Sequence, residues 1–398
     1  MEYRIDKYGN KLSILGFGCM RFPKQLGKID INATEILIKE AVKKGINYFD
    51  TAYIYNDSEK ILGEILKKNN LRKKVFIATK LPFIFWDSKQ RAEKCLNIQL
   101  KRLKTNYIDY YLIHMLTDLD LWNKLCDNGI ISWIEEKKKQ GKIKQIGFSF
   151  HGSRQEFLKI IDAYPWDFCQ IQYNYMNENY QAGKTGLKKS FQKKIPVIIM
   201  EPLLGGKLAN KLPREALEIF REANDKISPA SWALKWLWNQ KEVTLLLSGM
   251  NSLEQLNDNI TSSLNAKVGM LNKEETKTIE SVVEIFNKSY KIFCTGCNYC
   301  MPCPKNVNIP ACFSSYNTYY SIGKIEGIKQ YIMSTGITSS KNGRIENCIK
   351  CGTCEKKCPQ NIEIIKNLKI VEKKLEPFYI KWVLRLVQKF IKRKKKLN

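Results

Sequence analysis

The chain has 398 residues, with 67 Lys+Arg against 39 Asp+Glu for a formal charge of +28, and is 44% hydrophobic and 27% charged. That composition excludes a disordered or collagen-like chain, and no apolar run reaches the roughly 20 residues of a membrane span. The 13 cysteines are odd in number and the first ten residues carry no apolar signal segment. The expectation is a cytoplasmic protein whose cysteines do not form a disulfide framework. The charge would suit nucleic acid, yet only 11 of the 67 basic residues are Arg, the side chain that grips phosphates bidentately. A Lys excess spread over a solvated surface accounts for it, and nucleic acid is not the expected partner.

Residues 1–11, with a turn at Gly9 and Asn10, fit a small hairpin ahead of the first core strand. From there to about residue 265, short apolar runs alternate with amphipathic stretches. The runs are residues 13–17, 46–49, 75–78, 107–113, 143–148, 168–171, 195–199 and 243–247. They are rich in β-branched and aromatic residues, as strands buried on both faces are. Helical stretches such as 33–44, 58–68 and 89–104 lie between them, and Gly45 fits the position just past a helix end. Eight strands alternating with eight helical stretches over about 250 residues predict a (β/α)8 TIM barrel. Strands often end in polar residues as they reach solvent. Here, however, Asp50, Lys80, His114, Ser149, Gln172, Glu201 and Ser248 form a series around one barrel mouth, where such folds build active sites.

After about residue 271 the pattern changes to a helix, a cysteine run, a helical stretch at 309–334, a second cysteine run and a basic tail. The expected division is a barrel over 1–285, a small helical ferredoxin-like iron–sulfur domain over 286–370 and an amphipathic basic tail over 371–398.

The segment GINYFDTAYIYNDSEKILGEIL (residues 45–66) puts Asp50 and Tyr55 after the second strand. Lys80 follows the third in FIATKLP, and His114 the fourth in DYYLIHML. In type and order this set resembles the catalytic tetrad of the aldo-keto reductases, and the resemblance covers about residues 1–285. It implies an NAD- or NADP-dependent oxidoreductase acting on a small carbonyl or alcohol. Reducing a carbonyl takes hydride at carbon and a proton at the developing alkoxide. A free Tyr, with a pKa of about 10, is a reluctant acid. A nearby ammonium favours the phenolate, and a carboxylate keeps that ammonium charged and oriented. Tyr55 is therefore the expected general acid, Lys80 its tuner, Asp50 the partner of Lys80, and His114 the group that orients the carbonyl oxygen. Tyr53 competes with Tyr55 in the same loop, and the family spacing selects Tyr55. His114 would be a satisfied core histidine on the plainer reading, but it is one of only two histidines and stands at a strand end.

The same resemblance implies the cofactor contacts. GFSFHG and IQYN look like the segments that hold and stack on the nicotinamide, with Ser149, Gln172 and Tyr173 as candidates. EPLLGGKL resembles the loop that wraps the pyrophosphate, through Pro202, Leu203, Gly205 and Gly206, the glycines allowing close backbone approach. LSGMNSLEQLNDN resembles the adenosine-phosphate segment at a helix N-terminus, through Ser248, Gly249, Met250, Gln255 and Asn259. Gln255 stands where many NADP-specific relatives carry Arg, so the choice between NAD and NADP stays open.

Eight of the 13 cysteines fall in the 65 residues from Cys294 to Cys358. Cys348, Cys351, Cys354 and Cys358 precede Pro359 with the C-x2-C-x2-C-x3-C-P spacing of bacterial ferredoxins. Cys294, Cys297, Cys300 and Cys303 precede Pro304 with the last spacing one residue shorter. Zinc also takes CxxC pairs, but three successive CxxC steps ending in Cys-Pro point to two [4Fe–4S] clusters. In two-cluster domains the fourth Cys serves the other cluster, so Cys294, Cys297 and Cys300 are paired with Cys358, and Cys348, Cys351 and Cys354 with Cys303. Cys19, Cys95, Cys126, Cys169 and Cys312 read as small buried hydrophobes. A barrel followed by such a domain resembles a bacterial and archaeal subgroup of aldo-keto reductase-like proteins.

Nicotinamide moves two electrons as hydride whereas a cubane moves one, and no flavin motif is evident. Either an unrecognised cofactor or a reactive substrate mediates between them, or the clusters serve a partner (an acidic electron carrier such as ferredoxin or flavodoxin), a sensor or stability. The leading expectation is electron transfer to or from such a partner. The alternative is an electron-transfer or redox-sensing protein whose barrel turns over little carbonyl. In the tail, Lys381, Arg385, Gln388, Lys389 and Lys392 share one helical face, and Tyr379, Val383, Leu386 and Phe390 another. That pattern suits an anionic membrane surface or an acidic partner; a helix packed on the protein with a solvated end is the simpler expectation.

Overall fold

The computed structural model describes residues 1–82, 87–152, 154–179, 181–321, 323–335, 343–378 and 380–381. Of the expected tail over 371–398, residues 371–378, 380 and 381 are described; Arg385, Gln388, Lys389 and Lys392, with Tyr379, Val383, Leu386 and Phe390 of the expected apolar face, lie outside the described residues.

The chain opens with an antiparallel hairpin of β1 (Tyr3–Ile5) and β2 (Lys11–Ser13). Asp6 closes its turn by accepting from the backbone N–H groups of Tyr8 and Asn10. Then come β3 (Leu15–Gly18) and a two-stranded excursion of β4 (Lys24–Gln25) and β5 (Lys28–Ile29). The remaining strands are β6 (Tyr48–Asp50), β7 (Phe76–Leu81), β8 (Ile108–Leu116), β9 (Ile143–Phe150), β10 (Phe168–Gln172), β11 (Val197–Met200) and β12 (Leu245–Ser248). Eight of them, β3 and β6 to β12, pair in parallel in sequence order, and β12 returns to β3 with Ser248 opposite Phe17. The fold is the expected (β/α)8 barrel, and every expected apolar run contributes a strand. Helices Ile31–Lys43, Ser58–Lys68 and Lys89–Arg102 match the expected stretches. Gly45 follows the first at φ +96°, a conformation that disfavours a side chain.

Strand alternation splits the core into two layers. Tyr48, Ala78, Tyr110, Leu112, Phe168, Ile198, Leu245 and Leu247 fill the barrel interior, together with Leu12. Phe49, Ile77, Tyr111, Ile113, Phe148, Cys169, Ile171 and Ile199 point outward into the layer shared with the helices. Each fully buried side chain of this size contributes about 1.5–3 kcal/mol, so both layers hold the ring. Gly16 lets β3 lie close: a Cβ there would stand 2.9 Å from the Leu247 side chain. At the floor, Asp6 accepts from the Tyr110 hydroxyl at 2.6 Å and from the Gln145 amide. The hairpin therefore closes one end of the ring and leaves the strand C-termini open.

Residues Met1–Leu203 and Ser228–Lys273 form one compact unit; Leu204–Ile227 and the described residues of Glu274–Asn398 form the other. The expected boundary at 285 thus falls within the helix Lys273–Ser289, and a segment between β11 and β12 belongs to the second unit. That unit has its own core of Ile292, Val307, Phe313, Tyr316, Ile364, Leu368 and Val371, against which six of the eight clustered cysteines pack. Its expected single helical stretch is two helices, Ile309–Ser321 and Lys324–Ser334, parted at Gly323, whose φ is +152°. Arg344 and Glu376 form an ion pair of 2.8 Å with both side chains fully buried, and the Tyr331 hydroxyl donates to the same carboxylate. Asn317 accepts from the N–H groups of Lys291 and Ile292 at 3.0 Å, fixing the chain as it enters the first cysteine run. Among the described residues no helix is long and apolar enough to cross a membrane.

Candidate active site and cysteine sites

Inward parity brings the expected tetrad together. Asp50 ends β6, Lys80 lies one residue before the end of β7, and His114 lies in β8; all three are at least 95% buried. The Lys80 ammonium donates to Asp50 Oδ1 at 2.5 Å and to the Thr51 carbonyl at 2.7 Å. It also stands 5.1 Å from the centre of the Tyr55 ring, and that ring meets His114 edge-on at 6.2 Å. Burial pushes the Asp50 carboxyl up and the Lys80 ammonium opposes that rise. The pair is therefore held by mutual need, since breaking a buried pair by removing one partner costs about 3–5 kcal/mol.

The surroundings hold these groups in place. Ser58 donates to the Cys19 carbonyl at 2.9 Å and lies 2.9 Å from the Thr51 hydroxyl, pinning the loop that carries Tyr55. On the outer face, Gln99 donates to the Lys80 carbonyl and to Glu59 Oε1, which also accepts from Thr79. The same network disposes of the competing tyrosine: Tyr53 lies under the Arg102 guanidinium at 4.4 Å, with Arg102 bonded to Glu59. Tyr55 is the loop tyrosine beside Lys80.

Burial first, then the charges of Lys80 and His151, drive the His114 imidazole well below its ordinary value. It is a neutral hydrogen-bonding group at physiological pH, suited to meeting a carbonyl oxygen. Below about pH 6.5 an unfolded histidine takes up a proton that the folded one refuses. Acidification therefore costs stability, by up to about 1.4 kcal/mol per pH unit for this group. With only two histidines in the chain, histidine-labelled NMR can follow it directly, assigned through His114→Gln. The His114 signals should keep neutral shifts from pH 8 to 5.5; a midpoint near 6.5 would contradict this environment.

The cofactor candidates separate. Ser149 points inward from β9 and accepts from the Met115 N–H at 2.8 Å. Gln172 points inward at the end of β10, 1% exposed, and neither of its amide atoms has a hydrogen-bond partner among the described residues. His114 Nδ1 and Gln170 Oε1 are buried and unpartnered in the same way. Such groups fit a polar ligand in the mouth, because leaving them unmet costs about 1–3 kcal/mol each. Tyr173 lies one residue past β10: its ring packs at 5.2 Å on Trp236 and its hydroxyl meets Gln240 and Glu178, so it does not join the mouth set. Pro202 and Leu203 follow β11, while Gly205 and Gly206, at φ +69° and +89°, fall in the second unit. At the end of β12, Ser248 accepts from Asn259 at 2.9 Å, and the Arg21 side chain lies over Gly249. Met250 is buried in the outer layer. Gln255 is exposed and folds its side-chain carbonyl onto the Asn251 N–H at 3.1 Å. Gln170 was missed in the sequence although it shares the parity of Gln172; here it lies 3.4 Å from Asp50 Oδ2. His151 was passed over because a residue beyond a strand end has no predictable direction.

In the second unit, burial, then the negative charges of Cys294, Cys297 and Cys358, push the Cys300 thiol up to about 12. Those four make up one of the two expected sets, near enough to feel one another's charge, although among the described residues no group of three or more His, Cys, Asp or Glu is placed to hold a metal ion. In the other set, burial pushes the Cys354 thiol up to about 11, with Cys348 among the neighbours. Between Cys294 and Cys297, the Thr295 hydroxyl is buried with no hydrogen-bond partner among the described residues. Cysteines against an apolar shell and an unmet hydroxyl fit a sulfur-rich group, whose sulfurs accept weak hydrogen bonds. Cys19, Cys95, Cys169 and Cys312 are buried as expected, and Cys126 partly so.

A closed parallel barrel carrying a buried Lys–Asp pair beside a tyrosine at its mouth has the parts of an oxidoreductase. The aldo/keto reductase family model matches residues 14–284, and the chain belongs to that family. A 4Fe-4S dicluster domain matches residues 293–363. Relatives include the aldo-keto reductase yakc [NADP(+)] of Schizosaccharomyces pombe, 22% identical over 73% of this chain and 95% of its own. An L-galactose dehydrogenase of Arabidopsis thaliana is 25% identical over 70% of this chain and 93% of its own. Among solved structures, the holo form of aldo-keto reductase AKR11C1 from Bacillus halodurans superposes with a TM-score of 0.59 at 24% identity. The match covers 71% of this chain and 96% of that one, and shares the fold. The protein is an oxidoreductase of this family carrying a 4Fe-4S dicluster domain.

Proposed function

We propose that the barrel reduces a small carbonyl, or oxidises the matching alcohol, with NADPH or NADH, and that two [4Fe–4S] clusters exchange electrons with a partner. The observation that carries the reading is the buried Lys80–Asp50 pair under the Tyr55 ring, with a neutral His114 across from it. A bound nicotinamide supplies hydride to the carbonyl carbon. His114 then orients the carbonyl oxygen, and the Tyr55 hydroxyl gives that oxygen its proton. Lys80 stabilises the tyrosinate left behind, and Asp50 keeps Lys80 charged and aimed. The inward amides of Gln170 and Gln172 and the Ser149 hydroxyl would meet the polar edge of the nicotinamide; the unmet amide atoms of Gln172 and Gln170 support this. The NADP(+) in the name of the yeast relative supports NADPH, while the exposed Gln255 offers no cation to a 2′-phosphate.

Bound clusters supply one-electron transfer. Cys351 is the one exposed member of the eight clustered cysteines, which makes its side the natural approach for an acidic carrier such as ferredoxin or flavodoxin. Anaerobic purification with iron and sulfide analysis, then NADPH and NADH oxidation with and without carbonyls, tests the reading. The expected result is about eight iron atoms per chain and oxidation that depends on the carbonyl. Near-stoichiometric zinc without iron would remove the clusters, and no carbonyl-dependent oxidation would leave the redox-sensing alternative.

A further inference from the structure

We propose that Lys207 sets the reduction potential of the cluster held by the Cys294 set. The inference rests on the two-cluster reading above. Lys207 opens the short helix Lys207–Asn210, directly after the left-handed pair Gly205 and Gly206. Its side chain is turned inward, leaving the residue 7% exposed. The ammonium donates to the backbone carbonyl of Cys294 and lies 4.6 Å from the centre of the Tyr290 ring. Tyr290 is itself 5% exposed. Lysine, phenol and ligating cysteine therefore lie together, the first two buried and Cys294 partly so.

In a chain with this many lysines a cation near any surface feature would mean little. A buried one is different, because taking an ammonium out of water costs several kcal/mol unless nearby groups or charges compensate. The carbonyl and the aromatic face supply part of that compensation. A cluster bound by four thiolates carries net negative charge, and reduction adds one more electron from the external donor with no bond made or broken. A fixed positive charge in a low-dielectric setting favours the more negative state far more than it would in water. Net charge and hydrogen bonds at the sulfurs are the levers by which proteins place such potentials. The unmet Thr295 hydroxyl, next to Cys294 in the chain, acts in the same direction if it donates to a sulfur. Lys207 is thus a positioning residue for the electron and touches no substrate.

The test is a potentiometric titration of the anaerobic, iron-loaded full chain, followed by EPR. In Lys207→Gln one cluster midpoint should move to a more negative potential and the other stay, with iron content unchanged. Lys207→Arg, which keeps the charge, should restore the original midpoint. If the Gln variant loses iron, Lys207→Met, which keeps the stem on Tyr290, is titrated instead. Both midpoints unchanged in a fully loaded neutral variant would overturn the proposal. So would loss of one cluster in both neutral variants, which would make the ammonium a structural strut. Failure of the two-cluster reading would show separately, as missing iron and missing EPR signal in the wild type.

Discussion

Replacing Tyr55 by Phe is expected to lower kcat for carbonyl reduction by about 10²–10⁴-fold, the usual contribution of a positioned general acid. That corresponds to roughly 3–5 kcal/mol of transition-state stabilisation. The effect should fall on kcat, with nicotinamide affinity unchanged, because the hydroxyl removed acts on the reacting oxygen. Phe is the informative substitution. It keeps the ring that Lys80 and His114 face at 5.1 and 6.2 Å and leaves the Lys80–Asp50 pair intact. Lys80→Met would abolish activity as well, but it would strand a buried carboxylate and confuse lost chemistry with lost folding. Steady-state rates with a saturating carbonyl, beside cofactor titration by fluorescence, separate the two parameters. An undiminished kcat would remove Tyr55 from the mechanism.

The second large effect concerns the cysteines. Cys358→Ser is expected to cost the same cluster as Cys300→Ser, although the two residues lie in different runs. Iron should fall from about eight to about four atoms per chain in each, with matching residual EPR spectra. Cys351→Ser should also halve the iron but leave the other spectrum. The expectation follows from Cys300 sharing its surroundings with Cys294, Cys297 and Cys358. If Cys358→Ser matched Cys351→Ser instead, each run would hold its own cluster.

Much of this was legible in the sequence, for identifiable reasons. Strands buried on both faces stand out as β-branched runs, so the ring of eight could be counted. Their ends were less legible, because the last inward positions are polar: Lys80, His114 and Ser149 lie inside strands but end an apolar run. Asp50, Tyr55, Lys80 and His114 carried their own spacing and converge as expected. Tyr173 did not join them because it lies one residue past β10 and packs on Trp236, whereas strand parity turns Gln170 and Gln172 inward. The helical stretch at 309–334 reads as continuous by composition, and only the backbone at Gly323 parts it. Lys207 and Thr295 could not be singled out at all: one lysine among many becomes informative when tertiary packing buries it against a cluster cysteine.

The measurement that bears most directly on the central claim is label transfer. Anaerobic protein is given NADPH or NADH deuterated at the transferable position, together with a small aldehyde, and the alcohol is analysed by mass spectrometry. The account predicts one deuterium on the former carbonyl carbon, in a yield that collapses in Tyr55→Phe. Alcohol formed without deuterium, or formed equally well by the variant, would contradict direct hydride transfer in this barrel.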